Sequence, residues 1–375
     1  MDFSTLTQYL DSLQKCGIPA CEMHVYHKGR EVYAHAAGYS DAKGTKKADF
    51  SDLYRLYSCT KVLTSTCVFQ LIEKGLINLD DPVSKYLPEY ATLTVKTDEG
   101  ERPAATEMKI RHLLTMTGGL SYNFNTPAIN EAVKNNANTR DFVAAIAKGP
   151  LQFDPGASYE YSLCHDVLGA VIEVASGMRL GEYMAKNIFQ PLGMESATLD
   201  QYTVDNARMT QTYVYDQGHY KANPIENYTN NHQPTPNYES GGASGICTAS
   251  DYGKFAGAMA NGGVSADGYR LLSQQTIDIM RSPQLNDVQL SRFNTSVGKP
   301  GYNYGYGVRT LTSREIGQSL SPIGEFGWDG MGGCYTLIDT DNQIGIFFAM
   351  QVVGCGYCYC FIHPMLRNLT YKALL

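Results

Sequence analysis

The sequence predicts an α/β fold in which one sheet is assembled from both ends of the chain around a mainly helical middle. Two strand-like runs near the start, residues 20–27 and 31–37, are joined by a Lys-Gly-Arg tripeptide, a pattern typical of a β-hairpin. The segments that follow favour helices, and residues 200–240, which lack clear periodicity, are predicted to form a loop. Strand-like runs return toward the end of the chain, at residues 306–312, 333–339 and 344–353.

Composition and charge exclude several classes of protein. The chain has 375 residues, of which 43% are hydrophobic, enough for a large core in one or two domains. A net charge of −7 argues against a nucleic-acid partner, which would require a basic surface. Residues 343–362 carry no charge over 20 residues, near the length of a membrane span. Their glycines and the turn-like sequence before them favour a buried strand, a turn and a new helix, so we expect no membrane segment.

Cysteine usage and the start of the chain indicate a reducing compartment. The first residues show no basic and apolar signal pattern, and ten cysteines without such a signal are typical of free thiols in a cytoplasmic protein. Cys355, Cys358 and Cys360 are spaced as metal or redox cysteines can be, but His363 is the only further ligand nearby. We therefore expect no metal site and no cofactor.

A candidate nucleophile is Ser58, three residues before Lys61. On a helix, residues i and i+3 share one face, about 5–6 Å apart between Cβ atoms, so the lysine amine can reach the serine hydroxyl. The chain has four Ser-x-x-Lys matches, which begin at Ser12, Ser40, Ser58 and Ser296. Ser58 differs because the helix that it opens is apolar nearly all round and is therefore expected to be buried. Burial disfavours an ammonium, and a neutral amine can accept a proton.

Taken alone, Ser58 and Lys61 are explained equally well as a helix-capping serine beside a lysine that reaches solvent. Five sequence motifs in the same order as in a known family favour the catalytic interpretation. The motifs are Ser58-x-x-Lys61 with its continuation, residues 108–120, Asp154-Pro155-Gly156 with Tyr161-Ser162-Leu163, Glu239-Ser240-Gly241-Gly242, and Phe326-Gly327-Trp328-Asp329-Gly330. With them the chain resembles the serine hydrolase superfamily of class C β-lactamases, D-alanyl-D-alanine carboxypeptidases and related esterases, over roughly residues 15–350.

The resemblance implies a particular architecture. It implies an α/β (α+β) fold like that of β-lactamases and penicillin-binding proteins, with an antiparallel sheet built from both chain ends, flanking helices and a mainly helical lobe. Residues 1–57 and 241–375 are expected to form the sheet-containing lobe, and residues 58–240 the helical lobe inserted into it. The active site is expected between the two lobes.

A serine nucleophile needs a base, a proton carrier and an oxyanion hole. Lys61 can deprotonate Ser58, and a second group must carry the proton onward. Within the resemblance, the position of Tyr161 selects it for that step from among 27 tyrosines. The backbone N–H of Ser58, at a helix start, is one candidate oxyanion donor, and the family analogy makes the N–H of Met331 the second.

Departures from the family pattern bear on the substrate. Leu163 stands where the family's second motif has Asn, and Trp328-Asp329-Gly330 stands where its third motif has Lys or His, Thr and Gly. The lost cation and the negative charge of Asp329 disfavour substrates that carry a carboxylate. A neutral ester is therefore expected beside these residues, with Tyr122 at the mouth of the site.

We therefore expect a serine hydrolase that cleaves small carboxylic esters, or transfers their acyl group, through an acyl-serine intermediate. β-Lactamase or D-alanyl peptidase activity remains open, as does a non-catalytic relative that binds penicillins or senses a ligand. The intact set of Ser58, Lys61 and Tyr161 favours the enzyme. The expected partner is a small-molecule ester or amide, and the oligomeric state is not predicted.

Overall fold

Both ends of the chain contribute to one seven-stranded antiparallel sheet, as the sequence predicts. The computed structural model describes all 375 residues. The strands are β1 (Ala20–His27), β2 (Arg30–Gly38), β3 (Leu53–Arg55), β4 (Thr94–Thr97), β5 (Gly100–Pro103), β6 (Tyr213–Asp216), β7 (Lys221–Pro224), β8 (Ile246–Thr248), β9 (Tyr302–Tyr304), β10 (Arg309–Leu311), β11 (Phe326–Asp329), β12 (Tyr335–Asp339), β13 (Ile344–Ala349) and β14 (Val352–Val353). The helices are α1 (Ser4–Ser12), α2 (Thr60–Glu73), α3 (Ile110–Leu114), α4 (Pro127–Lys134), α5 (Thr139–Ile146), α6 (Cys164–Ser176), α7 (Leu180–Met184), α8 (Ala249–Ala260), α9 (Gln274–Arg281), α10 (Asp287–Val297) and α11 (His363–Leu374).

The order of the strands explains how the two ends meet. The sheet runs β2-β1-β13-β12-β11-β10-β9, so the N-terminal hairpin pairs with β13 and the later strands continue from it. Most of the helices lie between β3 and β8 in the sequence, which agrees with the predicted helical insertion. The exact division into two lobes at residues 57/58 and 240/241 stays a prediction.

Helices cover both faces of the sheet. The α8 helix packs against β1 and β13, where a Cβ at Gly345 would lie 2.6 Å from the backbone of Ala256. The glycine therefore allows the helix to approach the central strand closely. On the opposite face, Leu10 of α1 and Leu366 of α11 join Ile346 of β13 in a second apolar core.

The α2 helix is buried along almost its whole length, as its apolar sequence predicts. Every residue from Thr60 to Leu71 is buried, including the polar ones. Buried hydroxyl groups need acceptors, and Thr64 Oγ1 donates to the carbonyl of Gly241 at 2.6 Å, while Thr66 Oγ1 donates to that of Val62 at 2.8 Å. The helix is therefore a fixed element at the centre of the chain.

The expectation of a loop over residues 200–240 is wrong in part. β6 and β7 form a hairpin there, and β6 pairs in parallel with β14. The strands have four residues each, too few for their alternation to stand out, and the partner of β6 is distant in sequence. The run predicted at residues 344–353 is two strands, because β13 pairs with β1 and β12 whereas β14 pairs with β6.

The uncharged segment at residues 343–362 has the predicted strand, turn and helix character. It forms β13, β14, a glycine turn and the first helical turns before α11. No helix in the structure combines the length and the apolar character that crossing a bilayer requires. All ten cysteines are free, and the His, Cys, Asp and Glu side chains form no group of three that could hold a metal ion.

His24 on β1 is held between two carboxylates. Its Nδ1 lies 2.6 Å from Oε1 of Glu31, and its Nε2 lies 2.7 Å from Oε1 of Glu22. Two carboxylate acceptors require two N–H donors, so this arrangement holds the protonated imidazole. Burial lowers the pKa of His24, but the two carboxylates outweigh that effect and raise it to about 9.

We predict that this site makes the stability of the fold depend on pH. Because the pKa of His24 is raised from 6.5 to about 9, the added stability is complete below pH 6.5 and is lost as the pH rises through about 9. Across that window the free energy of unfolding in urea should fall by about 1–3 kcal/mol more in the wild type than in His24→Asn. His35→Asn, which removes a partly exposed histidine bonded to Asp11, should keep the wild-type slope. Equal slopes in all three proteins would contradict the assignment.

Candidate active site

A tight turn presents Ser58 between β3 and α2. β3 pairs antiparallel with β8 and thereby brings this turn beside the segment 240–243. Tyr57, directly before the serine, has a φ of +45°, in the left-handed region that non-glycine residues rarely occupy. Strain of this kind persists only where the surroundings enforce it, and here the buried Tyr57 hydroxyl donates to that of Tyr228 at 2.8 Å.

Lys61 lies on the first turn of α2 with its side chain fully buried. Its Nζ donates to Oγ of Ser58 at 3.0 Å, to the hydroxyl of Tyr122 at 2.9 Å and to the carbonyl of Gly242 at 2.9 Å. An ammonium has three N–H donors, and all three have acceptors here. When the amine is neutral, the Ser58 hydroxyl can donate to it along the same line, which is the arrangement that proton abstraction requires.

Gly242 occupies a position where a side chain would press on Asp166, next to Lys61. A Cβ there would lie 2.7 Å from Oδ2 of Asp166 and 3.4 Å from Nζ of Lys61. Asp166 is buried, and its Oδ1 accepts from Oγ of Ser240 at 2.5 Å and from the hydroxyl of Tyr238. The glycine thus lets a carboxylate, a carbonyl and the lysine pack together behind the serine.

Tyr161 and Trp328 form an aromatic wall beside Lys61. The Nε1–H of Trp328 donates to the hydroxyl oxygen of Tyr161 at 2.9 Å, and the two rings stack with centroids 5.5 Å apart. Nζ of Lys61 lies 4.7 Å from the centroid of the Tyr161 ring, but the tyrosine hydroxyl to which it donates a hydrogen bond is that of Tyr122. Burial raises the pKa of Tyr122 well above its ordinary value, so that hydroxyl stays protonated. The structure therefore brings the three predicted catalytic residues together and adds a second tyrosine to them.

The end of β11 closes against the Ser58 turn. A Cβ at Gly330 would lie 2.3 Å from the carbonyl oxygen of Leu56, so only a glycine permits this approach. The next residue, Met331, lines the same cleft as Ser58, and its backbone N–H makes no hydrogen bond within the chain. The two residues that carry the predicted oxyanion donors therefore line one cleft.

This cleft has a volume of about 520 Å³ and is largely aromatic. Tyr57, Tyr122, Tyr161, His232 and Trp328 line it around Ser58. Burial, with a further effect from the charge of Lys61, lowers the pKa of His232, which keeps its imidazole neutral. The cleft is thus large enough for a small organic molecule and offers it mainly apolar contact.

The predicted negative wall at Asp329 is not present as such. Its carboxylate is almost fully buried and forms ion pairs with Lys299 and, at 3.1 Å, with Nη1 of Arg309. Burial alone would raise the pKa of Asp329, but the two cations hold it well below its ordinary range. The argument that Asp329 repels anionic substrates is therefore wrong, because its charge is already neutralised.

Two other predicted substrate contacts are placed differently. Leu163 is buried and lines a neighbouring pocket beyond the Tyr122 loop, so it is not part of the cleft that holds Ser58. Tyr122 lines the cleft, but it also contacts Lys61 directly. Sequence reasoning missed the roles of Gly242 and Lys299, since no local pattern marks them as neighbours of the serine or of Asp329.

Comparisons with known proteins agree with this fold. Residues 6–354 match the family model described as Beta-lactamase, and the chain belongs to that family. The fold described above is thus the β-lactamase fold. Among its relatives are both esterases and acyltransferases.

Two relatives and one solved structure give the extent of the similarity. The acyltransferase calJ of Penicillium decumbens is 27% identical over 356 residues, 88% of this chain and 82% of the relative. The esterase EstB of Burkholderia gladioli is 35% identical over 179 residues, 45% of this chain and 44% of the relative. The structure of EstCE1, a hydrolase with promiscuous acyltransferase activity, matches with a TM-score of 0.82 at 23% identity and covers 98% of both chains. The last similarity establishes the fold.

We predict that Asp329 supports the structure and does not select substrates by charge. Asp329→Asn leaves Lys299 and Arg309 without their counter-charge and should lower the free energy of unfolding by about 3–5 kcal/mol. Asp341→Asn, which removes an exposed partner of Arg281, should cost less than about 1 kcal/mol. Urea unfolding measures both. An Asp329→Asn protein as stable as the wild type would contradict this structural role.

Proposed function

We propose that the chain is a serine esterase or acyltransferase in which Ser58 attacks an ester carbonyl and holds the acyl group. The observation that carries this proposal is the 3.0 Å contact between Nζ of Lys61 and Oγ of Ser58 in a buried position at the edge of an apolar cleft. A hydroxyl is a weak nucleophile until a base takes its proton, and the buried amine is that base.

The reaction follows from where protons can move. Ser58 gives its proton to the neutral amine of Lys61 as its oxygen bonds to the ester carbon. The negative charge that forms on the carbonyl oxygen is stabilised by the backbone N–H groups of Ser58 and Met331. The proton then passes to the leaving alcohol, whose departure leaves the acyl-serine ester. Water or a second alcohol reverses these steps and releases an acid or a new ester.

Tyr161 is the better candidate for the proton carrier to the leaving alcohol. Its oxygen accepts the indole N–H of Trp328, a bond that stabilises negative charge there, and its ring faces Lys61. Tyr122 is bonded more directly to Lys61, but its raised pKa disfavours proton loss. We assign Tyr122 to positioning the lysine and Tyr161 to proton transfer.

The cleft supports an ester whose groups beside Ser58 are uncharged. Its aromatic lining favours an apolar acyl or alcohol group, and this expectation now rests on the lining and no longer on the charge of Asp329. The relatives named above act as esterase and acyltransferase, and both activities use the same acyl-serine intermediate. Which of the two dominates depends on whether water or an alcohol reaches that intermediate.

Covalent labelling tests the proposal. A fluorophosphonate should add one adduct to the peptide that contains Ser58, because only an activated serine reacts at a useful rate. Mass spectrometry of the digested protein locates the adduct, and hydrolysis of p-nitrophenyl butyrate measures activity.

The controls use the other Ser-x-x-Lys serines. Ser58→Ala should lose both labelling and hydrolysis, whereas Ser12→Ala, which changes a serine with the same spacing to Lys15, should keep both. Ester hydrolysis that persists in Ser58→Ala would exclude the mechanism.

A further inference from the structure

A second cavity adjoins the cleft on the side of the C-terminal helix. This basic pocket, defined by Lys299, Tyr302, Arg309, Tyr335 and Arg367, has a volume of about 290 Å³. The walls that it shares with the cleft are Gly298, Lys299, Tyr359 and Cys360. A ligand seated at Ser58 can therefore extend toward the basic pocket along a common wall.

The charges around the basic pocket do not balance. Lys299, Arg309 and Arg367 line it, and no carboxylate does. The carboxylates that contact this group from behind are Asp329, paired with Lys299 and Arg309, and Glu325, which accepts from the hydroxyl of Tyr302 at 2.6 Å. Three cations against two carboxylates leave at least one positive charge.

Several donors in the basic pocket lack an acceptor. Arg309 contributes its charge only, because its Nη1 group is in the ion pair with Asp329 at 3.1 Å and its Nη2 group donates to the carbonyl of Thr336 at 3.0 Å. The Tyr335 hydroxyl, by contrast, bonds to no other group, and the Lys299 ammonium has one partner for its three N–H groups. These donors remain available to a ligand that brings acceptor oxygens into the pocket.

The rings beside Arg309 fix the orientation of its guanidinium. The centroid of Tyr335 lies 4.8 Å from Cζ of Arg309 and that of Tyr302 lies 5.7 Å from it. The rings thus fix the positive charge of Arg309 at the wall of the pocket, where it attracts a carboxylate. A net charge near one also matches a carboxylate better than a doubly charged phosphate.

We propose that the basic pocket binds a carboxylate, either one carried by the substrate at Ser58 or that of a free small carboxylic acid. The first case rests on the proposed function and narrows it to esters with an anionic end. The second does not depend on catalysis.

Monoesters of dicarboxylic acids test the first case. The substrates are p-nitrophenyl monoesters from succinate to sebacate, each compared with the same ester whose free acid is capped as a methyl ester. At the chain length that spans the two cavities, kcat/KM should favour the free acid about tenfold, as expected for a hydrogen-bonded charge. Calorimetric titration with free suberate tests the second case.

Three variants test whether a preference for the free acid, or the binding of suberate, depends on the basic pocket. Arg367→Met removes one cation, and Tyr335→Phe removes one hydroxyl while keeping the ring that stacks on His363. Both should lower the free-acid preference about tenfold, or abolish suberate binding. Lys372→Met removes an exposed cation of the same helix outside the pocket and should change neither. Tyr335→Phe decides the question if Arg367→Met fails to fold.

Each outcome has one meaning. A free-acid preference lost in both pocket variants supports a carboxylate on the substrate, and suberate binding lost without such a preference supports a free acid. Suberate binding in a wild type that hydrolyses no ester would reject the proposed function and keep the pocket. Neither preference nor binding, or a preference that the pocket variants retain, would overturn the proposal.

Discussion

The site depends on one buried lysine whose three N–H groups each have an acceptor. A buried ammonium is costly unless it is fully hydrogen-bonded, so Ser58, Tyr122 and Gly242 must all hold their places for Lys61 to remain where it is. The β3–β8 pair, the burial of α2 and the absence of a side chain at Gly242 serve that requirement. The same contacts hold the lysine amine beside the Ser58 hydroxyl, so the hydrogen bonds that stabilise the buried lysine also place the base next to the nucleophile.

A strand from the C-terminal part of the chain, β11, also contributes to this site. β11 approaches the Ser58 turn so closely that a side chain at Gly330 would clash with the carbonyl of Leu56. Directly before it, Asp329 is tied to Lys299 and Arg309 beneath the cleft. The cleft is therefore mainly apolar around Ser58, and the ion pair of Asp329 and Lys299 forms the part of its wall that borders the pocket beside α11.

The sequence predicts the local part of this arrangement and little of the rest. The hairpin of β1 and β2, the buried α2 helix and the spacing of Ser58 to Lys61 follow from neighbouring residues. The resemblance supplied Tyr161. Lys61 bonds to Tyr122, which lies 61 positions away in the sequence, and to Gly242, which lies 181 positions away. The periodicity of a sequence carries no information about contacts over such separations. The prediction that Asp329 repels anions is wrong for the same reason, because Lys299 and Arg309, which neutralise its charge, lie far from it in the sequence or on another strand.

The measurement that tests the central claim most directly is a kinetic cycle of Lys61→Met and Tyr161→Phe on one neutral ester. The account predicts that each change lowers kcat by about 10²–10⁴-fold and that the double variant loses little more, since both residues serve one proton path. Tyr122→Phe, which removes only a partner that positions Lys61, should cost less than either. Full activity in Lys61→Met, or a larger loss in Tyr122→Phe than in Tyr161→Phe, would contradict the account.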